Sequence, residues 1–110
     1  MENQEIKLNL EQWLKELIEK SDGYDQKVES LEKEIRLLRI RNHVLDNTTM
    51  VMQFSDNITE GFVSSEKEKN LQVIKEKEAE LQNLQEVEWK NIYQVRKLID
   101  NVNREISKLQ

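Results

Sequence analysis

Few groups in this chain could carry out a reaction. His43 is its one histidine, cysteine is absent, and the two glycines, Gly23 and Gly61, are far apart. A transition-metal site needs several imidazole or thiolate ligands at close helical spacing, and no Glu-x-x-His or His-x-x-x-His pair supplies them. One histidine also lacks the orienting partner that general acid–base chemistry requires. Two separated glycines cannot build a phosphate loop or a nucleophile elbow. The acidic run Glu66, Glu68, Glu76, Glu78 and Glu80 alternates with lysines three or four residues away. Such pairs form a solvated helix face, worth a few tenths of a kcal/mol each. The sequence therefore assigns no catalytic, cofactor-binding or metal-ligating residue, and a non-enzymatic protein without a small-molecule substrate is expected. Asn47-Thr48-Thr49 and Asn57-Ile58-Thr59 fit the glycosylation pattern but read as chance matches in a chain without a secretion signal.

Three features are better suited to recognition than to reaction. Asn42 falls at an inward position of an apolar heptad row, where a buried amide weakens packing yet can set register; a locally frayed or water-filled layer is the alternative. Trp89 and Tyr93 lie one helical turn apart, beside the main stripe of their segment, and fit either an anchor in a partner groove or a surface covered by another helix of the same protein. Lys33, Arg36, Arg39, Arg41 and His43 form a local basic cluster. Glu32 and Glu34 are interleaved with it, which favours intrahelical pairing over phosphate binding, and nucleic acid is disfavoured as a partner.

The elements that position these residues follow from composition and period. The chain has 110 residues, of which 36% are apolar and 35% charged, with no proline. That is little material for a compact core but well suited to long helices that stabilise one another. Ile6, Leu10, Trp13, Leu14, Leu17 and Ile18 predict an N-terminal amphipathic helix over 1–22, ended by Ser21-Asp22-Gly23; a continuous helix carrying one weak glycine is the alternative. Tyr24, Val28, Leu31, Ile35, Leu38, Leu45 and Met52 predict a coiled-coil helix over 24–60, with Asn42 and Thr49 as polar inward positions.

From Asn42 to Glu66 no lysine or arginine occurs. A second apolar row, Leu37, Ile40, Val44, Val51, Phe54 and Ile58, lies about 180° from the first at about 100° per residue, so the helix is expected to be two-faced over 37–58. Gly61, followed by Ser65-x-x-Glu68, fits a helix cap and a capping box, which predicts a turn over 61–65. The remaining helix, 66–110, carries Leu71, Ile74, Leu81, Ile92, Val95, Ile99, Val102, Ile106 and Leu109 in one heptad frame, interrupted by Glu78, Gln85 and Glu88. No internal repeat is evident.

The expected fold is all-α: an elongated coiled-coil helical hairpin of two long helices plus a short N-terminal helix, completing a three- or four-helix bundle by oligomerisation. Ile99, Val102 and Ile106 are expected to pack on Trp13, Leu14 and Leu17. The expected interface comprises Trp13, Leu17, Leu31, Leu38, Leu45, Val51, Met52, Phe54, Ile58, Leu81, Trp89, Ile92, Tyr93, Ile99, Val102 and Ile106, with Asn42 setting register.

These features predict a structural or adaptor coiled-coil subunit that mediates protein–protein assembly in a larger intracellular complex of cytoskeletal, kinetochore, centrosomal or tethering type. Its partners would be protein helices, either copies of itself or another chain. The inward Glu78, Gln85 and Glu88 suggest complementary residues on another chain. A regulatory module capturing a client's amphipathic helix is the alternative, as is a peripheral-membrane or chaperone-like role. The first segment lacks the basic start and apolar run of a signal peptide, so a cytoplasmic or nuclear location is expected. Its acid-rich polar face disfavours anionic membranes.

Overall fold

The computed structural model describes residues 2–51 and 57–109; the side chains of residues 49–51 and 57–60 lie outside that description. Helix α1 spans Glu2–Val51, α2 spans Asn57–Asn83, a π-helical turn spans Leu84–Glu88, and α3 spans Trp89–Lys108. Every described residue except Leu109 is helical, and the described residues contain no strand.

With no proline to remove a donor, α1 continues for 50 residues, and Glu2 and Glu5 in its first turn suit the positive end of the helix dipole. Ser21-Asp22-Gly23 does not end a helix, so the expected separate helix over 1–22 is part of α1. The reason lies on the buried side: Ser21 and Tyr24 are both buried, so breaking the helix there would uncover two consecutive inward layers. The turn expected over 61–65 is likewise absent. Gly61 sits inside α2, and neither glycine takes a positive φ.

A Cβ added at Gly23 or Gly61 would meet nothing within 4 Å. Gly23→Ala and Gly61→Ala should therefore each stabilise the chain by about 0.5–1 kcal/mol, the ordinary helix-propensity gain. Thermal melting of the two single variants checks this. A loss of stability at either site would mean that an added methyl group does not fit the helix there.

The chain divides into two compact units, one formed by Met1–Val28 with Asn83–Gln110, the other by Glu29–Gln82. In the first, the start of α1 runs antiparallel to α3. Leu17, Val102 and Ile106 form its core, with Leu10, Leu14, Val95 and Ile99 packed against them. The expected contact of Leu14 and Leu17 with Ile99, Val102 and Ile106 is thus present, whereas Trp13 is 44% exposed and outside the cluster. In the second unit, α1 runs antiparallel to α2, with Leu31, Ile35, Val63 and Ile74 buried.

Along α1 the covered positions are Leu10, Leu14, Leu17, Ser21, Tyr24, Val28, Leu31, Ile35, Leu38, Asn42 and Leu45, an unbroken alternation of four- and three-residue steps. The facing row does not keep one frame. In the second unit it runs Val63, Lys67, Asn70, Ile74, Lys77 and Leu81; in the first it runs Leu84, Glu88, Ile92, Val95, Ile99, Val102, Ile106 and Leu109.

Between Leu84 and Ile92 lies one residue more than the seven a heptad takes, and the π turn absorbs it. The Trp89 N–H reaches five residues back to the Leu84 carbonyl, lodging the extra residue in a wider turn. The expected single frame through Leu71, Glu78 and Gln85 is corrected accordingly. All three are exposed, and Asn70, Lys77 and Leu84 take the inward positions.

Candidate interaction surface

The π turn is built into a cluster of polar and aromatic side chains within the first unit. Tyr24 donates its hydroxyl to the Leu84 carbonyl over 3.0 Å, in a buried bond between residues far apart in sequence. The same carbonyl receives the Trp89 N–H, so the backbone oxygen displaced from regular helical pairing has two donors. The Tyr24 ring lies 5.9 Å from that of Trp89, tilted by 42°, and the Arg96 guanidinium sits 5.0 Å above the indole. Arg96 also donates from Nε to Ser21 Oγ over 3.0 Å and from a terminal nitrogen to Asp25 at 2.8 Å.

A tilted aromatic pair and a cation over an indole each contribute roughly 0.5–1.5 kcal/mol. Together with the hydrogen bonds they fix one register of α3 against α1. Tyr24→Phe keeps the ring and removes the donor, and should cost about 0.5–1.5 kcal/mol in a urea melt without loss of helix. An unchanged midpoint would mean that the hydroxyl does not hold the π turn.

In the second unit, Asn70 donates its amide to Asn42 Oδ1 over 2.8 Å. Asn42 is buried and the pair satisfies it, so the expected register-setting amide does find an amide opposite, on the same chain. Flanking this layer, Lys67 pairs with Asp46 and Arg39 with Glu78, while Lys77 meets Glu34 at 2.5 Å. The Glu34 hydrogen bond raises the Lys77 pKa above the ordinary lysine value of 10.5, partly opposed by desolvation and reinforced by the charges of Glu34, Glu80 and Glu76. Because the folded state binds this proton more tightly, the pair's contribution is fully present below about pH 10.5 and is lost as pH rises further.

Replacing Asn42 alone by leucine strands the Asn70 amide and should cost about 1–3 kcal/mol, whereas Asn42→Leu with Asn70→Leu should be neutral or stabilising. Chemical denaturation of the three proteins separates these outcomes. Equal losses in the single and double variants would show that the pair contributes no coupling.

The expected interface residues fall into three groups. Leu17, Leu31, Ile92, Val102 and Ile106 are buried within the chain, and Leu38, Leu45, Leu81 and Ile99 are half-buried there, so the chain itself covers them. Trp13, Trp89 and Tyr93 keep exposed surface. Trp89 packs on Tyr24, and Tyr93 lies under the Lys97 ammonium at 4.6 Å. Met52 and Phe54, together with the side chains of Val51 and Ile58, lie outside the described residues.

In the second unit, one apolar surface that the chain leaves uncovered is the outer row of α1. Leu37 is 48% exposed and Val44 56%, with exposed Ile40 between them. The basic cluster borders this row. Arg39 is engaged by Glu78, while Lys33, Arg36 and Arg41 have no ion-pair partner among the described residues.

Sequence reasoning missed Ser21, Asn70, Lys77 and Arg96. Ser21, Asn70 and Lys77 are polar, so an apolar-period search passes over them. Leu84 falls out of frame until the extra residue is recognised.

Among the described residues no group of three or more histidine, cysteine, aspartate and glutamate side chains could hold a metal ion, and no helix is long and apolar enough to cross a membrane. No protein family, curated protein or solved structure matches the chain.

Proposed function

We propose that this protein is a non-enzymatic structural or adaptor subunit, in which an antiparallel helical pair presents its outer α1 face to another protein helix and so helps to hold a larger intracellular assembly together. Cytoskeletal, kinetochore, centrosomal and tethering assemblies are the settings this composition suits. The observation that carries the reading is the outer row Leu37, Ile40 and Val44. The seam of α1 is filled by the chain's own α2 and α3, yet these three residues remain uncovered on the opposite side. Contiguous exposed apolar side chains bordered by unpaired basic groups are characteristic of an interaction surface. A third or fourth helix laid on that row would complete a bundle.

The test is co-purification of the full chain from its own cells, wild type against a Leu37→Glu, Val44→Glu double variant. Both positions are exposed, so the helical signal should be retained while associated polypeptide, of whatever identity, is lost. Equal recovery of associated chains with both proteins would exclude this face as the docking surface. A wild-type protein that recovers no second chain, itself included, would exclude the assembly role.

A further inference from the structure

We infer that the outer α1 face of the second unit takes an acidic amphipathic helix of a different protein, one with aliphatic residues at steps of three and four and carboxylates on both flanks. The inference rests on the assembly reading above and names the chemistry of its partner. The residues that carry it all belong to one stretch of α1 within the second unit.

Leu37, Ile40 and Val44 form one exposed row along α1, about 10 Å long at about 1.5 Å per residue. At about 100° per residue, Lys33 continues the row by one turn, Arg36 falls about 70° to one side of it and Arg41 about 70° to the other. All three cations are exposed, and none has an ion-pair partner among the described residues. No acidic residue occurs from Ile35 to Leu45. Of the acids bordering this side, Glu34 is held by Lys77, and Glu29 lies about two turns before Leu37. Arg39 and Asp46 are engaged by Glu78 and Lys67 of α2. The row is thus an aliphatic ridge between two unanswered guanidinium groups.

A ridge that follows a helix axis is matched along its length by the apolar stripe of another helix. Carboxylates flanking that stripe would meet Arg36 and Arg41, whose planar forks accept a carboxylate through two parallel hydrogen bonds. A second copy of this chain does not supply such a stripe. The ridge laid on itself would bring Lys33, Arg36 and Arg41 of both copies together with no acid from Ile35 to Leu45 to answer them. In α2 the exposed Phe62 and Leu71 are nine residues apart and so about 180° from each other. At the start of α1, Lys20 stands in the row of Ile6 and Trp13 while Glu11 lies away from it, so that row is not an acidic face. A bilayer or a nucleic acid fits less well. With α2 on its other side, α1 offers only a narrow aliphatic face to lipid, and a phosphate backbone would leave the ridge unburied.

The chain has no cysteine, so an introduced thiol is unique. Ile40→Cys protein carrying a photoactivatable cross-linker on that thiol, irradiated in an extract of its own cells and then digested, should yield a peptide of a different protein. In that peptide aspartate and glutamate should outnumber lysine and arginine beside aliphatic residues at three- and four-residue steps. Arg36→Glu with Arg41→Glu, which spares the ridge, should lower the yield about tenfold with the helical signal unchanged, and added salt should lower it progressively.

A cross-linked peptide that is neutral or basic, or that comes from this chain itself, overturns the inference. So does a lipid or nucleic acid attached in place of polypeptide, or a yield indifferent to the two charge reversals. If the cross-linked segment is neutral or basic while the Leu37→Glu, Val44→Glu variant still loses a co-purifying chain, the acidic chemistry is excluded and the assembly reading stands. If no chain is either cross-linked or recovered, both fall.

Discussion

Deleting Asp100 should unfold the first unit, while deleting Gln85 should leave the chain folded with a melting temperature within a few degrees of wild type. Both residues are exposed, and each deletion removes one residue from the C-terminal half of the chain. They differ in what they do to the inward row. Past Asp100, the buried or half-buried Val102, Ile106 and Leu109 turn by about 100° and leave the α1 seam. Fully burying a valine or isoleucine contributes about 1.5–3 kcal/mol, so two such residues lost amount to about 3–6 kcal/mol, a large share of what a small domain possesses.

Deleting Gln85 instead takes out the residue that the π turn accommodates. The distance from Leu84 to Ile92 becomes seven, both side chains stay inward, and the turn can close as regular α-helix. The Tyr24 bond to the Leu84 carbonyl is the contact at risk, worth about 1 kcal/mol. Circular dichroism melts of the two deletions decide the matter. Equal destabilisation would mean that the extra residue is not what the π turn absorbs.

Val102→Asp should have the largest effect of any single substitution. Val102 is 4% exposed in the cluster with Leu17 and Ile106, among Leu10, Leu14, Val95 and Ile99, where no side chain can pair with a carboxylate. An uncompensated buried charge costs about 3–5 kcal/mol, and the aspartate would escape part of that only by staying protonated. Hydrogen exchange read residue by residue should show protection lost from Asn83 to Lys108 and from the start of α1. The stability of the variant should recover partly at low pH, where the carboxylate is neutral. Undiminished protection in α3 would show that this cluster does not hold the unit together.

Much of this arrangement is written in local periodicity. Leu10, Leu14, Leu17, Leu31, Ile35, Leu38 and Leu45 recur at steps of three and four, and that spacing alone places them on one side of one helix whatever they meet. The absence of proline and a charged share nearly equal to the apolar one likewise restrict the chain to helices with solvated outer faces. Asn42 stood out because a lone amide in an apolar row needs a partner, and the partner proved to be Asn70.

Other features depend on what lies across the seam. Gly23 and Gly61 have the chemistry of helix ends, but conformational preference at one residue is worth about 1 kcal/mol and yields to the burial of Ser21 and Tyr24 on one side and the continuation of α2 on the other. The extra residue after Leu84 is invisible to a search that assumes one frame, since Ile74 and Leu81 fit the frame before the shift and the frame after it equally well. Only the facing helix, with Tyr24 reaching the Leu84 carbonyl, selects Leu84 over Gln85 as the inward residue.

The sequence by itself determined that this protein is helical, which row of α1 turns inward and that a second apolar row exists, because these depend on spacing along one helix. The tertiary structure decided that the first row is satisfied within the chain while Leu37, Ile40 and Val44 are not, that Trp89 leans on Tyr24, and that a π turn reconciles two frames. Those outcomes depend on which surfaces meet, and burial is a property of pairs of helices that periodicity in one of them cannot supply.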